Sequence, residues 1–270
     1  MRKQSCLADL TASCTYGQAR DVQSPRTVSA LLADNWRFAR PVTGLQDDLS
    51  LGTSDFDQPF QVRASGTLRS PWRRFETGLS FLYVGGSGFP YTYVAGGAGG
   101  RGDLNADGAA GNDPIYIPRT AFDTAEIRFG GSAAEVQTQQ AAFERFVDGA
   151  TCLRNQRGRI MGRNTCRAPW MNVTNLAIRQ ALPSVREQSL VFELHVFNLL
   201  NLLNSGWGRI ALPTGTSLAT TSQIPLLSQI GQTTGPEAQP IYRFDSKMRR
   251  YSDENFDTYY QLQLAIRYNF

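Results

Sequence analysis

The sequence predicts an all-β protein, the C-terminal portion of an antiparallel transmembrane β-barrel with long extracellular loops and a short loop helix. Three observations carry this reading. Several segments alternate apolar and polar residues with a two-residue period, the last one most strictly. The connections between them alternate short and very long. No apolar run approaches the roughly 20 residues that a membrane-spanning helix needs.

The alternation follows from strand geometry, because successive side chains on a strand point to opposite faces. Ala8–Tyr16 sets Ala8, Leu10, Ala12, Cys14 and Tyr16 against Asp9, Thr11, Ser13 and Thr15. Phe60–Leu68 sets Phe60, Val62, Ala64, Gly66 and Leu68 against Gln61, Arg63, Ser65 and Thr67. Phe75–Tyr83 carries Phe75, Thr77, Leu79, Phe81 and Tyr83 on one side. Asn172–Leu182 is weaker, with Leu176, Ile178 and Leu182 together, and Leu190–Val196 sets Leu190, Phe192, Leu194 and Val196 against Val191, Glu193 and His195. The terminal strand places Tyr260, Leu262, Leu264, Ile266, Tyr268 and Phe270 opposite Gln261, Gln263, Ala265, Arg267 and Asn269. Its length suits a tilted membrane-crossing strand of roughly 9–11 residues. Aromatics sit at both ends of its apolar face, where bilayer interfaces would lie.

Ser70–Arg74 and Pro183–Glu187 are short turns, whereas 17–59, 84–169 and 198–256 are long. Tight periplasmic turns and large extracellular loops are the wiring of outer-membrane barrels. With Phe270 in the periplasm, counting back puts both turns there and all three long loops outside. Connections this long argue against an ordinary compact soluble domain. About six strands fall short of the usual minimum of eight for a closed barrel. The N-terminus MRKQSCLADL has charge but no apolar core of a signal peptide. Both points fit the end of a larger barrel. Within the second long loop, Gly85–Gly102 reads as a flexible glycine-rich stretch. Ser132–Asp148 reads as a helix, with Ser132 and Glu135 as a capping box, Val136, Phe143 and Val147 on one face, and Gly149 as its stop.

The bulk numbers exclude more than they identify. A net charge of +4 is too diffuse to announce a nucleic-acid partner. Mean hydropathy of −0.32 is compatible with strands that are half wet. The single histidine, His195, removes most His-based metal clusters, and it falls on the polar, lumen-facing side of its strand. No catalytic signature is present, so no enzyme class is indicated. Gly97–Gly102 matches a dinucleotide fingerprint only by chance, because no strand–turn–helix unit surrounds it.

Three features invite specific readings. Asp103, Asn105, Asp107 and Gly108 open like a calcium loop, which needs converging oxygens and a glycine at the sharp turn. The acid due at the twelfth place is missing, since Pro114 stands there and Asp113 is one place short. An Asx/Gly turn cluster is the rival reading, and no other cofactor is expected. Cys152 and Cys166 bracket Arg154, Arg157, Arg159 and Arg163, with Arg167 just beyond. In an oxidising exterior the two cysteines would form a disulfide stapling the loop; two unrelated thiols are the alternative. Cys6 and Cys14 are too far apart along one strand to bond. The arginine tract lacks interleaved aromatics for base stacking, and reads as a solvated loop near an anionic outer leaflet.

Together these residues resemble a family. The run from Phe192 to Asn201, Phe192-Glu193-Leu194-His195-Val196-Phe197-Asn198-Leu199-Leu200-Asn201, looks like the VFNLLN motif in the penultimate strand of TonB-dependent outer-membrane receptors. Gly102–Gly108 followed by Gly111–Pro118 looks like the extracellular GDLNGDG…NDLIYVP pattern of their Oar-like branch, and so does Cys152–Ile160 closed by Cys166–Trp170. The terminal strand ending in Phe270 resembles the signal read by the barrel-assembly machinery. The likeness runs from about Ala8 to Phe270. It implies a plugged 22-stranded barrel that imports bulky nutrients, often with a carboxypeptidase-regulatory-like domain at the N-terminus. The plug and the TonB-contacting box are not in this chain, and no ligand residue carries over. The expectation is a non-catalytic receptor segment in the bacterial outer membrane, meeting lipid and lipopolysaccharide, with TonB engaged by the N-terminal part and Gln61, Arg63, Glu193, His195 and Arg267 lining the lumen. The alternatives are a passive porin or surface adhesin, and a soluble all-β binding module.

Overall fold

The computed structural model describes residues 2–4, 7–24, 41–44, 49–72, 75–183, 188–214, 222–253 and 258–269. Its elements run β1 (Arg2–Gln4), β2 (Ala8–Tyr16), β3 (Arg20–Asp21), β4 (Gly52–Thr53), β5 (Phe60–Arg69), β6 (Thr77–Gly86), β7 (Pro90–Gly96), β8 (Tyr116–Ile117) and β9 (Arg128–Phe129). Helices α1 (Ala133–Asp148) and α2 (Thr151–Arg154) follow, then β10 (Arg159–Ile160), β11 (Cys166–Arg167), β12 (Met171–Leu182) and β13 (Ser189–Phe197). The chain continues through α3 (Leu199–Leu203), β14 (Ala211–Pro213), β15 (Gln223–Gln232), β16 (Pro240–Arg243), β17 (Tyr251–Asp253) and β18 (Gln261–Asn269). The protein is mostly β-strand with few helices, and no described helix is long and apolar enough to cross a membrane.

The alternating segments pair in chain order into one antiparallel sheet, β1-β2-β5-β6-β12-β13-β18. The sheet is open, with β1 and β18 at its two edges. Its register keeps like with like. Leu10 stands across from Gly66, Gly66 from Phe81, Phe81 from Leu176, Leu176 from Val196 and Val196 from Leu262. One residue along, Ser80 faces Thr67 and Ala177, and His195 faces Ala177 and Gln263. One face is therefore predominantly apolar, with Thr77, Asn172, Thr174 and Gln180 toward its ends, because a two-residue period keeps each row of paired positions on its own side. Gly66 sits within the apolar face where Leu10 and Phe81 close over it, and a Cβ there would collide with both side chains.

Two expectations about this sheet need adjustment. The strand assigned from Phe75 begins at Thr77, because Phe75 still belongs to the turn, its N–H bonded to Trp72 O. The short N-terminal strand β1 adds a seventh member. Residues 73, 74 and 184–187 of the two short turns, together with Cys6 and Phe270, lie outside the described residues.

An antiparallel meander sends the three long connections from one and the same end. There they fold rather than trail. A five-stranded mixed sheet, β11-β7-β15-β16-β9, is assembled from the second and third connections, with β7 and β15 parallel. The stretch expected to be a flexible glycine-rich loop instead contains β7, whose Tyr91, Thr92, Tyr93, Val94 and Ala95 are at most 1% exposed. The glycines flank a β-rich run, and burial against neighbours from distant sequence decides its state. Helix α1 starts where the capping box lies: Ser132 Oγ accepts from Glu135 N, and Glu135 returns to Ser132 N. It buries Phe143, Phe146 and Val147. Phe143 and Phe146 meet Phe244 edge-on at 5.3 and 5.6 Å, and Phe146 meets Tyr93 at 5.6 Å, arrangements aromatic quadrupoles favour. The Gln139 amide bridges Gly130 O and Phe244 N at 2.9 Å each, so its buried polar atoms are satisfied. The large hydrophobic cluster lies in this layer, with no described residue from β2, β5, β6, β12, β13 or β18, although Val191 and Val196 of β13 are also buried.

Candidate functional site

The polar face of the large sheet carries a charge cluster. Glu193, only 8% exposed, has Arg267 at 3.4 Å and Arg179 and His195 each at 3.7 Å. The register explains it: Arg179 stands across from Glu193, Arg267 across from Val191, and His195 two residues on from Glu193, all on one side. His195 also stacks on Phe197, 6.3 Å between ring centres. The expected lumen set of Glu193, His195 and Arg267 thus forms one group, while Gln61 and Arg63 lie toward the other edge of the same face. The face is not uniformly polar, since Leu82 and Val84 belong to it and are exposed.

Where this face meets the folded layer, a cleft of about 350 Å³ is lined by Gln58, Gln61, Arg63, Phe89, Met171, Asn172 and Ile210. A second cleft of about 290 Å³, lined by Asn175, Phe197, Tyr259 and Gln261, shares Val173 and Ile210 with it. The two form one groove of apolar surfaces interspersed with carboxamides and a single guanidinium. Apolar walls with a few polar groups are the usual lining of small-molecule clefts.

The ends of the strands are held by Asn198 and Asn201. Asn198 has φ of 50°, a left-handed conformation that asparagine tolerates. Its Nδ2 donates to Gly208 O and Thr258 O at 2.8 Å, and its N–H reaches Asn175 Oδ1 at 3.0 Å. Asn201 donates to Ser205 O and Trp207 O and accepts from Tyr260 N at 3.3 Å. The two asparagines of the motif therefore tie the exit of β13 to the entry of β18. That structural role was not visible in the sequence, where only the motif's likeness stood out.

The arginine tract is only partly solvated: Arg154 and Arg159 are exposed, whereas Arg157, Arg163 and Arg167 are tied to acids. Arg163 donates to Asp21 Oδ1 at 2.6 Å and to the carbonyls of Asp21 and Val22. Arg167 donates to Asp57 Oδ2 at 2.6 Å and to the carbonyls of Asp57 and Gly88. Arg157 bonds Glu144 and Asp148 at 2.8 Å. Between Arg163 and Arg167, Asn164 donates to Thr53 O and to the buried Asp55. Arg163, Asn164 and Arg167 sew the first long connection to the second, while Arg157 braces the second internally. The acidic partners are more than a hundred positions distant in sequence for Arg163 and Arg167, which is why charge pattern alone misassigned them. Burial would raise the Asp21 carboxyl, but hydrogen bonds from Ser24, Ser54 and Arg163 outweigh it and hold its pKa below the usual value of 3.8. Cys152 and Cys166 are joined, with Cα atoms 5.2 Å apart, pinning α2 to β11. Cys14 is exposed and carries a free thiol.

The Asp103–Gly108 stretch forms a closed turn. Asp107 N–H donates to Asp103 Oδ1 and Asn105 Oδ1 at 3.1 Å, Gly108 N–H to Asp103 Oδ2 at 3.0 Å and Ala109 N–H to Asp107 Oδ1 at 2.8 Å. Gly108 adopts φ of 82°, the left-handed turn for which glycine is suited. Asp113 is 2% exposed, and burial, with Asp107 and Asp103 nearby, pushes its pKa up to about 7. Among the described residues no three His, Cys, Asp or Glu side chains gather as a metal-holding group.

Of the terminal strand, Leu262, Leu264, Ile266 and Tyr268 stand out from the apolar face at 57%, 67%, 71% and 52% exposure, and Tyr260 immediately precedes β18. Set beside known families, curated proteins and solved structures, the chain matches no family model, no curated protein and no solved structure.

Proposed function

We propose that this chain is the C-terminal segment of an outer-membrane receptor barrel that takes up bulky nutrients and performs no chemistry of its own. The observation that carries this reading is the exposed apolar face of the seven-stranded sheet, running from Leu10 through Leu68 and Leu79 to Leu264 and Ile266. Soluble monomers rarely expose contiguous apolar patches beyond a few hundred Å². Each Leu, Ile or Phe left in water forgoes about 1.5–3 kcal/mol. A sheet face of them forgoes an amount comparable to a whole domain's stability, roughly 5–15 kcal/mol. Hydrocarbon against that face removes the cost, and water on the other suits Arg63, Arg179, Glu193 and Arg267. The edges β1 and β18 become the joints with the rest of the barrel, because lipid tolerates no unpaired strand edge.

In this reading the folded layer faces outward beside lipopolysaccharide, and the groove around Arg63 and Ile210 forms part of the mouth where ligand is captured. The terminal strand is what the barrel-assembly machinery recognises. Coupling to TonB belongs to a plug and contact box outside these residues.

The test is a pair of neighbouring substitutions in the intact receptor. Leu264→Arg puts a charge on the lipid side, at about 2–4 kcal/mol near the midplane, and is expected to abolish membrane assembly. Gln263→Arg points to the lumen and is expected to assemble at wild-type level. Equal amounts of the two variants in washed outer membranes would refute the reading.

A further inference from the structure

We infer that the groove between the polar face of the large sheet and the folded layer binds a long-chain carboxylate, its acid head on Arg63 and its acyl chain running toward β18. The inference rests on the reading of this groove as a ligand mouth, and it names the class of ligand.

Charge stands at one end of the groove only. Arg63 is the single charged side chain lining either cleft. Its cross-strand neighbours are Ser13 and Val84, and its neighbours on the same face of β5 are Gln61 and Ser65, all uncharged. Among the described residues its guanidinium has no hydrogen-bond or ion-pair partner. Arg157, Arg163 and Arg167 each meet an acid, and Arg179 and Arg267 share Glu193. A guanidinium offers a planar fork that two carboxylate oxygens match. A phosphate monoester carries about −1.5 to −2 at neutral pH. One arginine in an otherwise uncharged groove would leave part of that charge uncompensated, whereas a carboxylate is matched one to one.

The rest of the groove suits an acyl chain. From Arg63 the register leads across to Val84 and then Val173. Phe89 and Ile210 line it from the folded layer. It continues past Phe197 to Gln261, which stands opposite Phe197 in the β13–β18 ladder. β5, β6, β12, β13 and β18 are consecutive strands, so four spacings of about 4.8 Å make the groove about 19 Å long. Extended hexadecanoate has that length. The far end offers Asn175, Tyr259 and Gln261, polar groups without a positive charge to compete for the head. The ligand therefore has one orientation.

The experiment is photolabelling of the full-length protein in washed outer-membrane vesicles, with hexadecanoate carrying a diazirine at its methyl end. With the head on Arg63, saturable labelling is expected at Phe197 and in 258–261, and not in 58–63. Unlabelled hexadecanoate is expected to displace it, and hexadecanol is not. Arg63→Gln is expected to lower saturable labelling on the order of tenfold or more, and Arg63→Lys by less. Val84 is 40% exposed and directly across from Arg63, so Val84→Glu gives the guanidinium an internal partner and is expected to block labelling while the protein still assembles. Labelling that does not saturate, that hexadecanol displaces equally well, or that survives both Arg63→Gln and Val84→Glu overturns the site. Non-saturable labelling of Leu264 and Ile266 reports lipid contact separately. Saturable groove labelling without it would keep the carboxylate site and remove the membrane reading, and lipid labelling without a saturable component would do the reverse.

Discussion

Arg163 shows how one side chain can serve two distant stretches of chain. Its guanidinium is mostly buried and makes bonds to Asp21, Val22 and Ser24. Breaking such a buried pair costs more than a surface ion pair contributes, because it leaves a charge without its partner. The depressed pKa of Asp21 fixes the pH dependence. A carboxylate held below its unfolded value stabilises the fold above that value, near 3.8, and the contribution is lost as pH falls through the lower, folded value. We therefore expect the amide protection of residues 19–24, relative to the intrinsic exchange rate at each pH, to fall below about pH 4, and Arg163→Gln to lower it already at pH 6. Identical exchange in wild type and variant at pH 6 would contradict the tie. The arginines were legible as a tract and illegible as staples, because a basic residue carries no local mark of which acid it will meet.

Among the elements, β18 and β7 make the contrast clearest. β18 is recognisable from its own residues: alternation, length and aromatic ends are all local. β7 is a short run with glycines on both sides, and it becomes a strand only because β15, β11 and α1 bury it. Helix α1 lies between these cases, its start set by the Ser132–Glu135 box and its buried stripe by helical spacing. The disulfide operates at this scale. It closes a loop with a sequence separation of 14 between Cys152 and Cys166, for which chain-entropy reasoning gives about 3 kcal/mol. Cys152→Ser with Cys166→Ser is expected to lower the stability of the folded layer by that order in urea unfolding followed by proteolysis of 133–167. An unchanged midpoint would mean that α2 and β11 are held by other contacts.

The molecule as a whole is divided by solvent preference. Its large hydrophobic cluster sits in the connections, while the apolar residues of the large sheet are mostly half-buried or, as in β18, exposed. Damage to one part should therefore leave the other largely intact. Phe143 is fully buried among Phe129 and Phe244, and Phe143→Ala is expected to cost about 3–5 kcal/mol. If the chain sits in the outer membrane as proposed, surface proteolysis of intact cells should then cut the layer faster, with no loss of protein from the membrane. Disappearance from the membrane would show that sheet and layer fold as one unit.

The sequence by itself determined six of the seven strands of the large sheet, which residues share a face, and the alternation of short and long connections. Those properties depend on the two-residue period and on turn composition, which act between near neighbours. Only the tertiary structure decided that the long connections build a layer with its own core, that the arginines bind Asp21 and Asp57, and that Asp113 returns to the Asp103 turn. Each of these depends on groups brought together by burial across many intervening residues, and burial of that kind leaves no periodic trace along the chain.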